Sequence, residues 1–361
     1  MSFDMFIQHM FNALALGSLY GLIAIGYTMV YGILRLINFA HGDIFMLGAY
    51  FVFFSTVSFM PAWAAALILM LGVLVFSYTF ADKGSKIRLG SWAVAAILGG
   101  ASLYYGLIAP QDFTPIWAVA VAFAIFATSA CGIAVDRVAY RPLREAPRIS
   151  ALISAIGMSF LIENLCIVLF TGLPRPVRQP EILVKPLIFE LGKAADGAVT
   201  ALRVVPLALI VPVITLALVL GLLWIIYRTK PGLAMRAISR DIETTRLMGV
   251  SVNKVIALTF GLGSALAAAA GIMWALRYPQ IHPYMGIVPG LKAFIAAVFG
   301  GIGSIQGAMI GGLILGFMEI MIIAFFPTLS GYRDAFAFVL LIIILLWKPT
   351  GLMGEKMEEK I

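Results

Sequence analysis

Apolar residues run along this chain almost without interruption, broken at intervals by short clusters of charge, proline or glycine. Between those breaks the continuous runs cover 11–34, 43–60, 61–80, 91–109, 116–135, 149–172, 204–227, 255–277, 290–326 and 335–347. Most come close to the roughly 20 apolar residues that a helix needs to cross a hydrocarbon core. The alternation of apolar and polar positions that marks membrane strands is missing, which argues against a β-barrel. The run 290–326 is too long for one simple span and is broken in its middle by Gly300, Gly301 and Gly303. It predicts a half-helix over 290–299, a Gly-rich turn and a returning helix over 306–326. A break of that kind within a bilayer is tolerated only where protein or a water-filled cavity covers the freed backbone groups, so the turn points to function. The pattern as a whole predicts an all-α polytopic bundle in a single domain, 1–361, with about nine spanning helices plus broken or re-entrant half-helices.

Composition agrees and narrows the choice. Of the 361 residues 62% are hydrophobic and 12% charged, and the mean hydropathy is +1.03. An ordinary soluble domain carries about 25% charge, so a soluble enzyme and a disordered chain are both excluded. Cys131 and Cys166 fall inside apolar runs; they read as small buried hydrophobes, and neither a disulfide framework nor a metal site is indicated. The net charge of +8 comes without a basic stripe on a soluble face, so no nucleic-acid partner is indicated. The opening stretch MSFDMFIQHM carries Asp4 and His9, no Lys or Arg, and no small-residue cleavage site before the first helix, so no removable signal peptide is expected.

Lys and Arg set the expected orientation. The loops at 81–90 (Lys83, Lys86, Arg88), 136–148 (Arg137, Arg141, Arg144, Arg148), 228–254 (Arg228, Lys230, Arg236, Arg240, Arg246, Lys254) and 348–361 (Lys348, Lys356, Lys360) hold most of the 25 basic residues. Counting crossings places all four on one side together with Arg35. By the positive-inside rule that side is cytoplasmic, which puts the N-terminus outside and the C-terminus inside. The loop 173–203 must then face outward, although it carries Arg175, Arg178, Lys185, Lys193 and Arg203 beside Glu181, Glu190 and Asp196.

Motifs for chemistry are few. Gly192-Lys193 lacks the flanking residues of a Walker A loop, and HExxH, CxxC and GxSxG do not occur, so no catalytic residue, cofactor or ATPase site is expected in this chain. The most informative polar stretch is 232–254, GLAMRAISRDIETTRLMGVSVNK. At about 100° per residue Ala234, Ile238, Ile242 and Thr245 share one helix face, with Arg236, Arg240 and Glu243 opposite. Pro231-Gly232 would open this helix, expected over 233–248, and Gly249 would end it. One reading is an amphipathic helix resting on lipid headgroups; the other is a docking helix set into a groove of a soluble partner.

The segment Glu243-Thr244-Thr245, followed after three intervening residues by Gly249, resembles a degenerate EAA loop of bacterial ABC importer permeases. The segments GSLYGLIAIGYTMVYGILRLINFAHGDIFMLGAY (17–50), DRVAYRPLR (136–144), ALISAIGMS (151–159), VIALTFGLGSALAAAAG (255–271) and KAFIAAVFGGIGSIQGAMIGGLILG (292–316) resemble the LivH-type permease family of branched-chain amino acid ABC transporters. The likeness covers most of the chain and departs at about 55–115, where two extra apolar segments appear. The resemblance implies a subunit that imports leucine, isoleucine, valine or related amino acids, with a urea or short-amide permease as the alternative substrate reading. It implies as partners a homologous second permease subunit, two cytoplasmic ATPase subunits that bind the ATP, and a periplasmic solute-binding protein landing on 173–203. Arg236, Arg240, Asp241, Glu243 and Gly249 would then couple the ATPase to the membrane. A stand-alone secondary transporter, or an assembly subunit without a pathway, stands as the rival from another class.

A zwitterion crossing the bilayer needs donors for its carboxylate and acceptors for its ammonium, which the ends of broken helices supply. Two polar, Gly-containing breaks qualify. One is Asn38-Phe39-Ala40-His41-Gly42-Asp43, with Asn38, His41 and Gly42 as path residues; the other is Gly300–Gly307, with Gly300, Gly301, Gly303, Ser304 and Gln306. Glu163, Glu319 and Lys292 are read as structural partners, and the glycine stripes at 263–271 and 307–316 as close helix packing.

Overall fold

The computed structural model describes residues 3–57, 60–81, 85–111, 116–193, 199–348 and 350–354; Lys83, Asp196, Lys356 and Lys360 lie outside the described residues. Helix α1 (Phe3–Leu34) is apolar on every face, and the fold uses it accordingly: Leu19, Leu22, Ile23, Ala24 and Ile25 are fully buried. Around this axis pack α8 (Pro206–Arg228), α11 (Val252–Arg277), α12 (Ile287–Gly300) and α13 (Ile305–Phe325). Without a hydrophobic drive between helices in lipid, close backbone approach holds them together. Gly312 of α13 lies on the backbone of Gly21, and Gly316 on that of Gly17. Gly311 meets Ala296 of α12, and Gly271 of α11 meets Phe45 of α2 (His41–Thr56). The stripes expected to permit close packing do so.

The remaining helices form an outer layer. A hairpin of α3 (Ala62–Phe80) and α4 (Lys86–Leu107) packs through α3 on α5 (Trp117–Val135), and α4 faces outward along most of its length. These are the extra segments at 61–109. Helix α6 (Arg148–Phe170) lies against α2, and α14 (Arg333–Trp347) against α12 and α13. Among the described residues nine helices are long and apolar enough to cross a membrane; α2, with 16 residues, and α12, with 14, are not among them. At 1.5 Å per residue α2 spans about 24 Å, short of the roughly 30 Å of hydrocarbon. The expected full span at 43–60 is therefore a short helix preceded by the non-helical residues 35–38.

Three other boundaries differ from the sequence pattern. Helix α1 begins at Phe3 rather than near 11, and Gln8 Nε2 donates to the carbonyl of Arg203 at 2.8 Å. Its extra turns dock on a strand that the pattern left as loop. The described residues of the segment 173–203 form short elements: β1 (Arg175–Pro176) pairs with β4 (Gln280–Ile281), a short α7 (Glu181–Val184) follows, and β2 (Leu187–Lys193) pairs antiparallel with β3 (Val199–Val204). Helix α5 runs on through a π turn over Asp136–Tyr140 to Leu143, so most of the loop expected at 136–148 is helical.

Candidate functional site

The chain leaves α1 at Arg35, whose positive φ of 53° reverses its direction, and re-enters the fold to start α2 deep among other helices. His41, 1% exposed, sets its ring edge-on to Tyr27 at 4.7 Å and fills the space left by the missing side chain of Gly26. Gly42 then touches the first turn of α12: a Cβ on Gly42 would stand 2.7 Å from the carbonyl oxygen of Gly286 and 3.3 Å from Gly290 Cα. Two short helices thus abut N-terminus to N-terminus inside the bundle, an arrangement whose converging dipoles favour an anionic group. Asn38 is 2% exposed, and its Oδ1 accepts from Tyr140 Oη at 2.7 Å. Asp43, directly after Gly42, accepts a hydrogen bond from Ser159 of α6 and meets Glu163 there.

The second expected break lies elsewhere. Gly303 sits beside Gly32, near the end of α1, whereas His41 sits beside Gly26. Six residues of helix separate the two levels, about 9 Å. The turn is closed by the C-terminal segment: Leu352 N donates to Phe299 O and Met353 N to Gly300 O, both at 2.9 Å. Gly301 takes a φ of 108°, a conformation reserved for glycine, and Ser304 caps α13 by accepting from Gly307 N at 3.1 Å. Gln306 is exposed. The structure therefore brings Asn38, His41 and Gly42 together with Gly286 and Gly290, and places Gly300, Gly301, Gly303, Ser304 and Gln306 at the other end of α12.

What faces that turn is the amphipathic stretch. It is two helices rather than the single one expected over 233–248: α9 (Lys230–Arg240) and α10 (Ile242–Leu247). The break is chemical. Asp241 leaves the helical conformation and caps α10, its Oδ1 accepting from Glu243 N at 3.0 Å and Thr244 N at 3.1 Å. Helix α9 opens at Lys230 with Pro231 in its first turn, Thr229 accepts from Gly232 N at 3.3 Å, and Met235 and Ile238 are buried. The break turns Ile242 outward, while Thr245 stays buried. Arg236 lies over the ring of Tyr227 at 5.2 Å. Arg240 and Glu243 are exposed, and Gly249 has the positive φ of 80° that ends the unit. Leu247 and Met248 at its tip are 87% and 79% exposed, apolar side chains with nothing over them in the isolated chain. A cavity of about 100 Å³ between Thr28, Gly32, Met235, Arg236, Ser239 and Gly303 joins α9 to the glycine turn.

The geometry is thus a pair of short helices that abut inside the bundle and an exposed amphipathic helix pair at its end, and comparison with known proteins names the kind of protein. The family described as branched-chain amino acid transport system / permease component matches residues 9–345. The chain belongs to this permease family. It is 40% identical over 356 residues to the high-affinity branched-chain amino acid transport system permease protein LivH of Salmonella typhimurium, covering 99% of this chain and 98% of that protein. The corresponding LivH of Escherichia coli K12 is 39% identical over the same length. BraD of Pseudomonas aeruginosa is 37% identical over 358 residues, again covering 99% and 98%. Within this permease fold the sequence pattern missed Tyr27, Gly286 and Gly290, because a single glycine inside an apolar run carries no sign of what it will touch. It also missed Leu247 and Met248, which look like core residues until the break at Asp241 is known.

Proposed function

We propose that this chain forms part of the membrane path of an ATP-driven importer for leucine, isoleucine, valine or related amino acids, with energy supplied by two separate cytoplasmic ATPase subunits. A homologous second permease subunit would complete the path, and a periplasmic solute-binding protein would deliver the substrate. The observation that carries this reading is the near full-length likeness to LivH and BraD, together with a basic, apolar-tipped lever at one end of the bundle. The orientation follows the basic loops: N-terminus outside, C-terminus inside. The β2–β3 hairpin of 173–203, tied to α1, is then the landing surface for the binding protein.

In this scheme the substrate carboxylate is received where α2 and α12 begin, at His41, Gly42, Gly286 and Gly290, with Asn38 below them. In the present conformation backbone contact closes that junction, so transport requires α2 and α12 to part. The glycine turn at 300–304, including Ser304, sits between α9 and the start of α13, where it transmits movement of the lever to α12; Gln306, one turn on, faces outward. Arg236, Arg240, Asp241, Glu243 and Gly249 hold the lever in shape and on its partner.

Expressed with its partner subunits in cells lacking their own leucine uptake, this chain should restore labelled leucine uptake that isoleucine and valine inhibit and urea and acetamide do not. Uptake inhibited by urea and indifferent to valine would move the reading to an amide permease. Glu163→Gln should leave that uptake without a new dependence on pH or sodium. Strict coupling to either ion in the unmodified protein would favour a secondary transporter.

A further inference from the structure

The junction where α2 and α12 abut has an apolar neighbour. Phe39, two residues before the first residue of α2, sets its ring 6.0 Å from that of Phe294 in the second turn of α12. Phe294 lies 6.1 Å from Tyr27 of α1, and Tyr27 4.7 Å from His41. A row of rings thus leads outward from the buried junction. Its inner members are closed in, Tyr27 at 6% exposure and His41 at 1%, whereas Phe39 and Phe294 are half-buried. Leu291, one turn earlier on α12, is 39% exposed and continues the apolar surface. Beside these rings the polar groups are left open. The N-caps of the two helices, Ala40 and Gly286, supply no side-chain cap. Asn38, next to Phe39 in the chain, is 2% exposed, and its Nδ2 has no hydrogen-bond partner among the described residues. Buried amides are normally paired, and a carboxylate at this junction supplies the acceptor that the Asn38 amide lacks.

We infer that Phe39 and Phe294 form the subsite for the aliphatic side chain of the transported amino acid and set the length of side chain that passes. The inference rests on the α2–α12 junction receiving the substrate carboxylate, as proposed above, and names the residues that read the other end of the molecule. The two ends need opposite surroundings. An apolar side chain is received by hydrocarbon and aromatic walls, while a few placed polar groups fix the orientation; here Asn38 and the helix starts stand directly beside the two rings. At 6.0 Å the rings are in contact with each other. One precedes α2 and the other belongs to α12, so the parting of these helices that transport requires also separates the rings. The slot between them opens with the junction. A pocket of this kind tells apart side chains that differ by a single methylene.

The test uses proteoliposomes holding the full complex, supplied with saturating binding protein loaded beforehand with labelled leucine or labelled valine, so that delivery does not select between them. Phe294→Trp narrows the slot and should lower leucine uptake relative to valine, which is shorter by one methylene, by roughly tenfold. Phe39→Trp should shift the ratio in the same direction, and it carries the test if Phe294→Trp does not fold. A residue with a merely structural role would lower both rates together and leave their ratio alone. An unchanged leucine-to-valine ratio in both variants, with or without loss of overall rate, would therefore overturn the inference. His41→Ala separates this failure from that of the junction itself. It should reduce uptake of both amino acids alike; unchanged uptake of both would overturn the junction as carboxylate site and the side-chain subsite with it.

Discussion

Lys292→Met should lower the stability of the folded chain by on the order of 3–5 kcal/mol, the cost of breaking a buried ion pair from one side. Lys292 is 3% exposed and Glu319 4%. The ammonium lies 2.9 Å from both carboxylate oxygens of Glu319 and 2.7 Å from Asp334, and Tyr20 donates to Glu319 at 2.9 Å. One cation thus ties α12 to α13, α14 and the central α1. With it gone, Glu319 keeps the Tyr20 hydroxyl and a looser contact to Arg333 at 3.7 Å, too little to hold a charge inside the bundle. The thermal midpoint in detergent should fall by several degrees. Lys292→Met with Glu319→Met, which removes both charges, should recover most of the loss. A single variant as stable as the parent, or a double variant worse than the single, would contradict the account of this network as a structural clamp.

Leu247→Glu with Met248→Glu should leave the protein folded in the membrane and reduce ATP-driven uptake at least about tenfold. The expectation follows from exposure. These side chains touch little in the isolated chain, so charging them costs the fold little, since surface changes stay within about 0.5 kcal/mol. Two charges in the centre of an apolar contact with another protein cost several kcal/mol, and about 1.4 kcal/mol is already tenfold. Gly249→Val should act in the same direction by another route. A β-branched residue at a φ of 80° is strained by roughly 1–2 kcal/mol, which deforms the end of the lever. The measurement is ATP hydrolysis by the co-purified complex with and without loaded binding protein. Uncoupled hydrolysis, or loss of stimulation, is the expected result; normal stimulation in both variants would remove the lever from the mechanism.

Much of the architecture is written in the apolar runs, because a helix that must satisfy its own backbone in lipid leaves a long, uninterrupted signal. The break at Gly300–Gly303 was readable for the same reason: glycines stood where the run was too long. What periodicity leaves out is depth. His41 and Gly303 look alike as polar or glycine breaks, yet one lies beside Gly26 and the other beside Gly32, and only packing separates them. The strands β2 and β3, LIFELGK and VTALRV, are short mixed segments without a clean period, which a reading tuned to long spans passes over as loop. The helical character of 232–254 was legible in its amphipathic pattern and its continuity was not, because Asp241 can serve as a surface residue in a helix or as a cap that ends one. The cap won through two hydrogen bonds from α10.

The central claim is that this chain carries a branched-chain amino acid across the membrane only when separate ATPase subunits act on its lever. The direct measurement is uptake of labelled leucine into proteoliposomes holding this chain, its permease partner and the two ATPases, with ATP sealed inside and loaded binding protein outside. Uptake should require ATP and the binding protein together, and should fall to background with Leu247→Glu and Met248→Glu in this chain. Leucine accumulation by this chain in proteoliposomes without the ATPase subunits, or full uptake by the lever variant, would contradict the account.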